Sequence, residues 1–141
     1  MSIFHINRKT DYAVRVILSL ARRPYGARLS ARFIQEETQV PQAFLKRIIA
    51  LLSQENLIES FPGPKGGLQL ARLAEEITLR DIVEVMEGPV LLSDCLKEKE
   101  ACPLAESCPV RNRWGGLQAT IVKELAQTTM AQLASEAPLG A

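Results

Sequence analysis

The sequence predicts a mainly α-helical fold with one small β-hairpin, and three observations support this fold class. Apolar residues recur at helical spacing in three segments before Glu55. Two short strand-like runs then flank a turn rich in glycine and proline. A long alternation of polar and apolar residues follows near the C-terminus. The sequence therefore predicts short helices, a hairpin and a long C-terminal helix.

The first three helices have recognisable starts and ends. An amphipathic helix is predicted over residues 8–23, ending before Pro24. Its apolar stripe consists of Tyr12, Val16, Ile17, Leu20 and Ala21. Ser30 can cap a second, short helix, and Pro41 suits the first turn of a third. The buried face of the third helix comprises Phe44, Leu45, Ile48, Ile49 and Leu52. Two short helices in tight succession, the second starting at the polar Gln42, indicate a helix-turn-helix.

A hairpin is predicted next. Residues 57–61 and 68–70 are the strand-like runs, and the turn between them, 62–67, is rich in residues that tolerate special backbone angles. A helix-turn-helix followed by a hairpin is a winged helix. The alternative is a set of ordinary packed helices with a surface hairpin. Basic residues placed where DNA would lie favour the winged helix, and these are Lys46, Arg47 and Lys65.

Two further helices are predicted in the C-terminal half. Thr78 and Asp81 have the spacing of a capping box, and the helix that they open ends at Gly88. A polar–apolar pattern then runs over residues 110–134. A helix this long exceeds what one small core needs, so its simplest role is dimerisation. The alternative is a helix that packs back on its own domain.

Length, composition and charge bound the function. The 141 residues suffice for one domain, or for one domain with an appendage, and 47% are hydrophobic. We assign residues 1–75 to a winged helix-turn-helix domain. Residues 76–135 form a linker helix, a cysteine loop and a dimerisation helix, and 136–141 a disordered tail. No apolar run reaches the length of a membrane span and no secretory signal is visible, so the protein is expected to be soluble and cytoplasmic.

The charge is unevenly distributed along the chain. Residues 1–73 contain 11 Lys/Arg against 5 Asp/Glu, whereas residues 74–141 contain 6 against 11. The net charges of the two halves are therefore +6 and −5. A basic first half suggests a polyanionic partner that the acidic second half would not share.

All three cysteines fall within one short stretch, at Cys95, Cys102 and Cys108. Pro103 and Pro109 each follow a cysteine, so the stretch is expected to be an irregular loop. An odd number of cysteines argues against a disulfide framework, and zinc sites usually have a closely spaced Cys-x-x-Cys pair. An iron–sulfur cluster with one additional ligand suits this spacing better. The alternative is three buried or idle thiols.

Several motifs together resemble the Rrf family of bacterial winged-helix regulators. They are the segments 10–15 (TDYAVR), 44–48 (FLKRI), 63–67 (GPKGG) and 77–84 (ITLRDIVE). The three-cysteine loop resembles that of the cluster-binding branch, which includes the IscR and NsrR regulators. The resemblance implies a homodimeric transcription factor, most simply a repressor, that senses through a cluster and binds a palindromic operator in double-stranded DNA. The signal would be nitric oxide, redox state or iron supply.

The resemblance also implies a ligand set. Arg111 stands where IscR-like members have a histidine ligand, whereas Asp11 matches the aspartate that NsrR-like members supply from the partner subunit. Asp11 is therefore the expected fourth ligand, His5 is its rival, and 4Fe–4S is favoured over 2Fe–2S. An ordinary solvent-exposed residue at the start of a helix is the alternative role for Asp11. Pro62 stands where IscR-like members have a wing arginine, so operator preference is expected to differ.

The winged helix would read DNA through its third helix. Gln42, Lys46 and Arg47 are the candidates for contacts with base edges. Candidates for phosphate contacts, which position the protein without specifying sequence, are Ser30, Lys65, Arg8 and Lys9.

Two alternative functions remain. An iron–sulfur enzyme or electron carrier would need four thiolates per cluster, usually closely spaced, and a single histidine suits few acid–base schemes. We therefore expect no enzymatic activity. A cluster-free regulator of the same fold, responding to a small ligand or through Cys102 as a reactive thiol, is the other alternative.

Overall fold

Helices dominate the protein over residues 5–97, 103, 104 and 106–137, which are the residues that the computed structural model describes. The helices are α1 (Arg8–Ala21), α2 (Ala31–Thr38), α3 (Gln42–Gln54), α4 (Leu79–Glu87), α5 (Pro109–Gln127) and α6 (Met130–Glu136). The strands are β1 (Ile58–Phe61) and β2 (Gly67–Leu70), with 3-10 turns at Ala74–Glu76 and Asp94–Leu96. The predicted class, mainly α with one small hairpin, is confirmed.

Helices α1 to α3 form the predicted helix-turn-helix with its supporting helix. The side chain of Asn7 caps α1 by accepting a hydrogen bond from the backbone N–H of Lys9 at 2.9 Å. Ser30 caps α2 in the same way through the N–H of Phe33, at 3.0 Å. Gln39 ends α2 in the left-handed conformation, with φ of 61°, so the chain turns sharply into α3. The apolar faces of the three helices meet in a core that contains Ile17, Ile34, Ile48 and Leu52.

Strands β1 and β2 form an antiparallel hairpin whose register pairs Ile58 with Leu70 and Phe61 with Gly67. Leu68 and Leu70 are buried against the helices. Leu29 adds a short bridge to the hairpin. Its N–H donates to the carbonyl of Leu68 at 2.9 Å, and its carbonyl accepts from the N–H of Leu68 at 2.7 Å. The segment before α2 is thereby attached to the wing.

The C-terminal segment contains two helices, so the prediction of one helix over residues 110–134 is wrong. Helix α5 ends at Gln127, and Thr128 and Thr129 are extended. The carbonyl of Thr128 accepts from the N–H of Leu79 at 3.0 Å, and the N–H of Met130 donates to Ile77 at 2.8 Å. The side chain of Thr129 then caps α6. Hydrogen bonds to the start of α4 therefore replace those that would have continued α5.

Helix α6 packs back on the winged helix, against α1 and the turn at Ala74–Glu76. Its Met130 is completely buried. Of the predicted disordered tail, 136–141, Glu136 instead lies in α6, while residues 138–141 lie outside the described part of the chain. In the described residues, no helix has both the length and the apolar character needed to cross a bilayer.

Candidate DNA-binding face and cysteine loop

Helix α3 presents its polar residues to solvent and its apolar residues to the core. Leu45, Ile48 and Leu52 are buried, and this fixes the rotation of the helix about its axis. The predicted base-reading residues Gln42, Lys46 and Arg47 are all exposed. Gln42 and Lys46 also line a shallow groove between α2 and α3, opposite Ala31, Arg32 and Gln35. The helix therefore offers one amide and two cations on a single accessible face, as base reading requires.

The wing ends in a tight turn that carries Lys65. The N–H of Gly66 donates to the carbonyl of Gly63 at 3.0 Å. A Cβ atom on Gly66 would lie 2.0 Å from the carbonyl oxygen of Phe61, so a side chain cannot be accommodated there. Lys65 lies exposed in this turn. A tight turn that exposes a lysine is suited to contact a phosphate backbone.

A partly buried ion pair links the segment just after α1 to α2. Arg23 Nη2 lies 2.6 Å from Glu37 Oε1, and Ser19 donates its hydroxyl hydrogen to the same carboxylate. The guanidinium also lies over the Phe33 ring, 5.0 Å from its centroid. The hydrogen bond from Arg23 is the main reason that the pKa of Glu37 is lowered, although burial opposes the shift. The network therefore fixes the angle at which the helix-turn-helix is presented.

The charged residues at the start of α1 are mostly exposed. Asp11 lies in the first turn and forms an exposed ion pair with Arg15, at 3.1 Å. Arg8 is exposed and Lys9 is half-buried. His5 lies ahead of the helix, at a cavity of about 390 Å³ that Val83, Glu87, Ile121 and Leu125 also line.

The start of the cysteine loop, at Cys95, contacts helix α5. Cys95 lies in the 3-10 turn, and its Sγ is 3.1 Å from Ser93 Oγ. Arg111 donates from Nε to the carbonyl of Cys95 at 3.2 Å, and Gln118 accepts from the N–H of Leu92 at 3.1 Å. These contacts place Cys95 beside the N-terminal half of α5.

Cys108 is the residue immediately before α5, and Pro109 is the first residue of that helix. Both Cys95 and Cys108 are free and half-buried. Cys102, the third cysteine of the predicted site, lies outside the described residues.

Within the described residues, no three potential ligands are grouped closely enough to hold a metal ion. Asp11 and His5 are thus not clustered with Cys95 and Cys108 of their own chain. The chemistry of the donor set nevertheless fits an iron–sulfur cluster, because free, half-buried thiols are the ligands that such clusters take. A carboxylate from α1 could join this set only from another subunit or after rearrangement.

Helix α5 has an uncovered apolar face. No residue of this helix is buried, and three of its large apolar side chains are 41–48% exposed: Val110, Trp114 and Leu117. They stand at i, i+4 and i+7, so they share one side of the helix. Exposed apolar stripes of this kind mark interaction surfaces.

Sequence reasoning missed two arginines beside the candidate DNA-binding residues. Arg32 lines the groove beside Gln42, with an ion pair to Glu36 at 3.2 Å. Arg28 stacks on Phe61 at the start of the wing turn. The position of Arg32 in the first turn of a capped helix was a usable signal. The stacking of Arg28 depends on Phe61, which is far away in the sequence, so no local sequence signal could have indicated it.

Comparisons with known proteins agree with one another. A family model for Rrf2, described as an iron-dependent transcriptional regulator, matches residues 6–136. Protein rrf2 of Nitratidesulfovibrio vulgaris is 30% identical over 137 residues, which cover 95% of this chain and 89% of that protein.

Solved structures resemble the fold over nearly its whole length. CymR of B. subtilis, described as the global cysteine regulator, has a TM-score of 0.78 at 25% identity, covering 94% of this chain and 98% of that chain. T. potens IscR has a TM-score of 0.76 at 24% identity, covering 95% and 88%. The second likeness concerns the fold alone.

Proposed function

The chain belongs to the Rrf2 family of transcriptional regulators, and from this premise we propose that it is a repressor controlled by an iron–sulfur cluster. Membership of this family makes it a DNA-binding regulator with a winged-helix fold and not an enzyme. The proposal adds the cluster, the dimer and the residues that serve each. A protein with this role acts where the DNA is, in the cytoplasm.

The DNA contacts follow from the exposed face of α3. Gln42, Lys46 and Arg47 are assigned to base edges, and the apolar residues behind them keep this face outward. Ser30 and Lys65 are assigned to phosphates, since both are exposed beside the wing. Two copies of α3 about one DNA turn apart would match a palindromic operator.

The dimer is assigned to the apolar face of α5. Val110, Trp114 and Leu117 would be covered by the same residues of a second copy, because twofold interfaces are self-complementary. This assignment keeps the predicted dimerisation role for α5, while α6 takes the alternative role and packs on its own domain.

The cluster is assigned to Cys95, Cys102 and Cys108, with Asp11 of the second copy as the fourth ligand. A bound cluster would supply a group that nitric oxide, oxidants or shortage of iron can modify or remove. Ser93 lies within hydrogen-bond distance of the Cys95 sulfur, a contact of the kind that tunes such sites. Arg111, at the position where a histidine would ligate, instead holds the Cys95 carbonyl, which favours Asp11. A single carboxylate among three thiolates suits 4Fe–4S, by resemblance.

A cluster-free regulator is the second candidate. Its support is the structural likeness to CymR, described as a cysteine regulator, and the cavity between α4 and α5. That cavity has largely apolar walls, the carboxylate of Glu87 and a size suited to a small ligand.

The observation that carries the proposal is the pair of free, half-buried thiols that bracket one loop and dock on α5. Iron and acid-labile sulfide in anaerobically purified protein test it. We expect both in comparable amounts, with loss of both when Cys95, Cys102 or Cys108 is replaced by Ala. Wild-type protein without iron and sulfide, even after anaerobic reconstitution, would contradict the cluster and leave the second candidate.

A further inference from the structure

We propose that Arg28 is a preorganised phosphate clamp at the base of the wing. The proposal rests on the DNA-binding function of the winged helix and is independent of the cluster. Arg28 is exposed, yet its guanidinium is held on two sides by the protein. An exposed arginine held in this way is uncommon, because such side chains normally keep their rotamer freedom.

The stacking contact is close. Arg28 Cζ lies 3.6 Å from the centroid of the Phe61 ring, much nearer than Arg15 lies to Tyr12, at 5.7 Å. Arg28 Nε also donates to Gln69 Oε1 at 3.2 Å. The ring and the amide together use one face and one edge of the guanidinium.

The remaining edge is free. Over the described residues, the two terminal nitrogens of Arg28 have no hydrogen bond and no ion pair. Those nitrogens form the edge that binds a phosphate with two parallel hydrogen bonds. A guanidinium fixed in advance loses less entropy when it binds, so the contact is stronger than one from a free side chain.

The backbone of Arg28 is as fixed as its side chain. The next residue, Leu29, exchanges two backbone hydrogen bonds with Leu68. A Cβ atom on Gly67 would lie 2.7 Å from the carbonyl oxygen of Leu29, so the two segments are in direct contact. Any movement of the wing therefore carries Arg28 with it.

The position of the free edge indicates a phosphate and not a base. Phe61 is the last residue of β1, directly before the turn that carries Lys65, and Ser30 follows Arg28 by two residues. Arg28 thus stands between the wing turn and the start of α2, whereas the residues assigned to base reading lie on α3. A clamp here would grip the backbone that flanks the site read by α3.

The test compares Arg28→Met with Arg80→Met, each of which removes one positive charge from an exposed arginine. Arg80 lies on α4 and is paired with Glu84 at 2.9 Å. The probe is a pool of random-sequence duplexes, from which each protein selects its preferred site. The affinity of each protein for the site that the wild type selects is then measured at several salt concentrations. The proteins compared have the same iron content and the same melting temperature.

We expect Arg28→Met to bind about tenfold more weakly, with a salt slope smaller by about one and the same selected sequence. Arg80→Met should match the wild type. Arg28→Lys should recover only part of the loss, because it keeps the charge without the fork. Phe61→Leu should weaken binding as well, and combining it with Arg28→Met should add little.

Equal affinity and slope for Arg28→Met and the wild type would overturn the clamp, as would a changed selected sequence. Additive losses for Arg28→Met and Phe61→Leu would overturn the role of the stacking contact. Salt-independent binding by the wild type itself would instead contradict the DNA-binding face, so the two failures are distinguishable.

Discussion

The winged helix and helix α5 differ in how completely the chain covers their apolar residues. The buried core runs from Ala13 on α1 to Ile82 and Val83 on α4 and is closed by Met130 on α6. Helix α5 lies between α4 and α6 in the sequence, yet none of its residues is buried. The core of the winged helix is therefore completed by its own chain, whereas the described residues leave the apolar side of α5 uncovered. This difference separates the packed core from the helix to which we assign dimerisation.

The largest effect is expected in the winged-helix core. Leu52 is fully buried on α3, so Leu52→Ala should lower the free energy of unfolding by about 2–5 kcal/mol. Urea unfolding followed by circular dichroism, at one fixed protein concentration, measures this loss. A loss below about 0.5 kcal/mol would mean that the core is not packed as described.

The matched change on α5 should act on assembly. Leu117 is 45% exposed, so Leu117→Ala should preserve helical content while weakening the dimer about tenfold, as loss of a central apolar contact does. Sedimentation equilibrium measures the dimer. An unchanged dissociation constant for both Leu117→Ala and Trp114→Ala would place the interface elsewhere.

A smaller effect is expected where α5 gives way to α6. Thr129→Ala removes the cap that accepts from the N–H of Gln132 at 3.1 Å and should cost about 1 kcal/mol of unfolding free energy. Thr120→Ala is the control, because Thr120 is an exposed residue within α5. Equal costs for the two variants would argue against the break at Thr128 and Thr129.

The smallest effect concerns pH. The folded-state pKa of Glu37 is lowered, chiefly by the hydrogen bond from Arg23, so the ionised form is favoured in the folded state. This stabilisation is present above the ordinary carboxyl pKa and is lost as the pH falls through that value towards the folded pKa. The stability difference between wild type and Glu37→Gln should therefore shrink in acid. Glu36→Gln removes a carboxylate from an exposed ion pair on the same helix and is the control.

The same comparison explains which elements were predictable from sequence. The caps at Ser30 and Thr78 formed as expected, because capping depends on residues at most three apart. The break in the C-terminal helix was not predicted, since it depends on hydrogen bonds between Thr128 or Met130 and the distant residues Leu79 and Ile77. Periodicity alone continues through such a break.

The candidate site shows the same limit. Gln42, Lys46 and Arg47 could be assigned to one exposed face from helical spacing, and that exposure is confirmed. The contact of Arg111 with the Cys95 carbonyl could not be predicted from the sequence, because it depends on how the loop packs against α5. Whether Asp11 joins the cysteines depends on a second subunit, which the sequence of one chain does not position.

Mixed dimers test most directly the claim that a second subunit completes the cysteine site. One subunit carries Asp11→Ala, and its partner carries Ala at Cys95, Cys102 and Cys108. Only the first subunit then has a working loop, and only the second has the aspartate. The control dimer carries all four changes on one subunit beside a wild-type partner.

If Asp11 crosses the interface, the first mixture holds one normal cluster, because its intact loop faces an intact aspartate. The control dimer should then hold one labile cluster, since the aspartate facing its only working loop is missing. Decay of the visible absorption after exposure to a chelator measures the difference. A labile cluster in the first mixture and a normal one in the control would contradict the account.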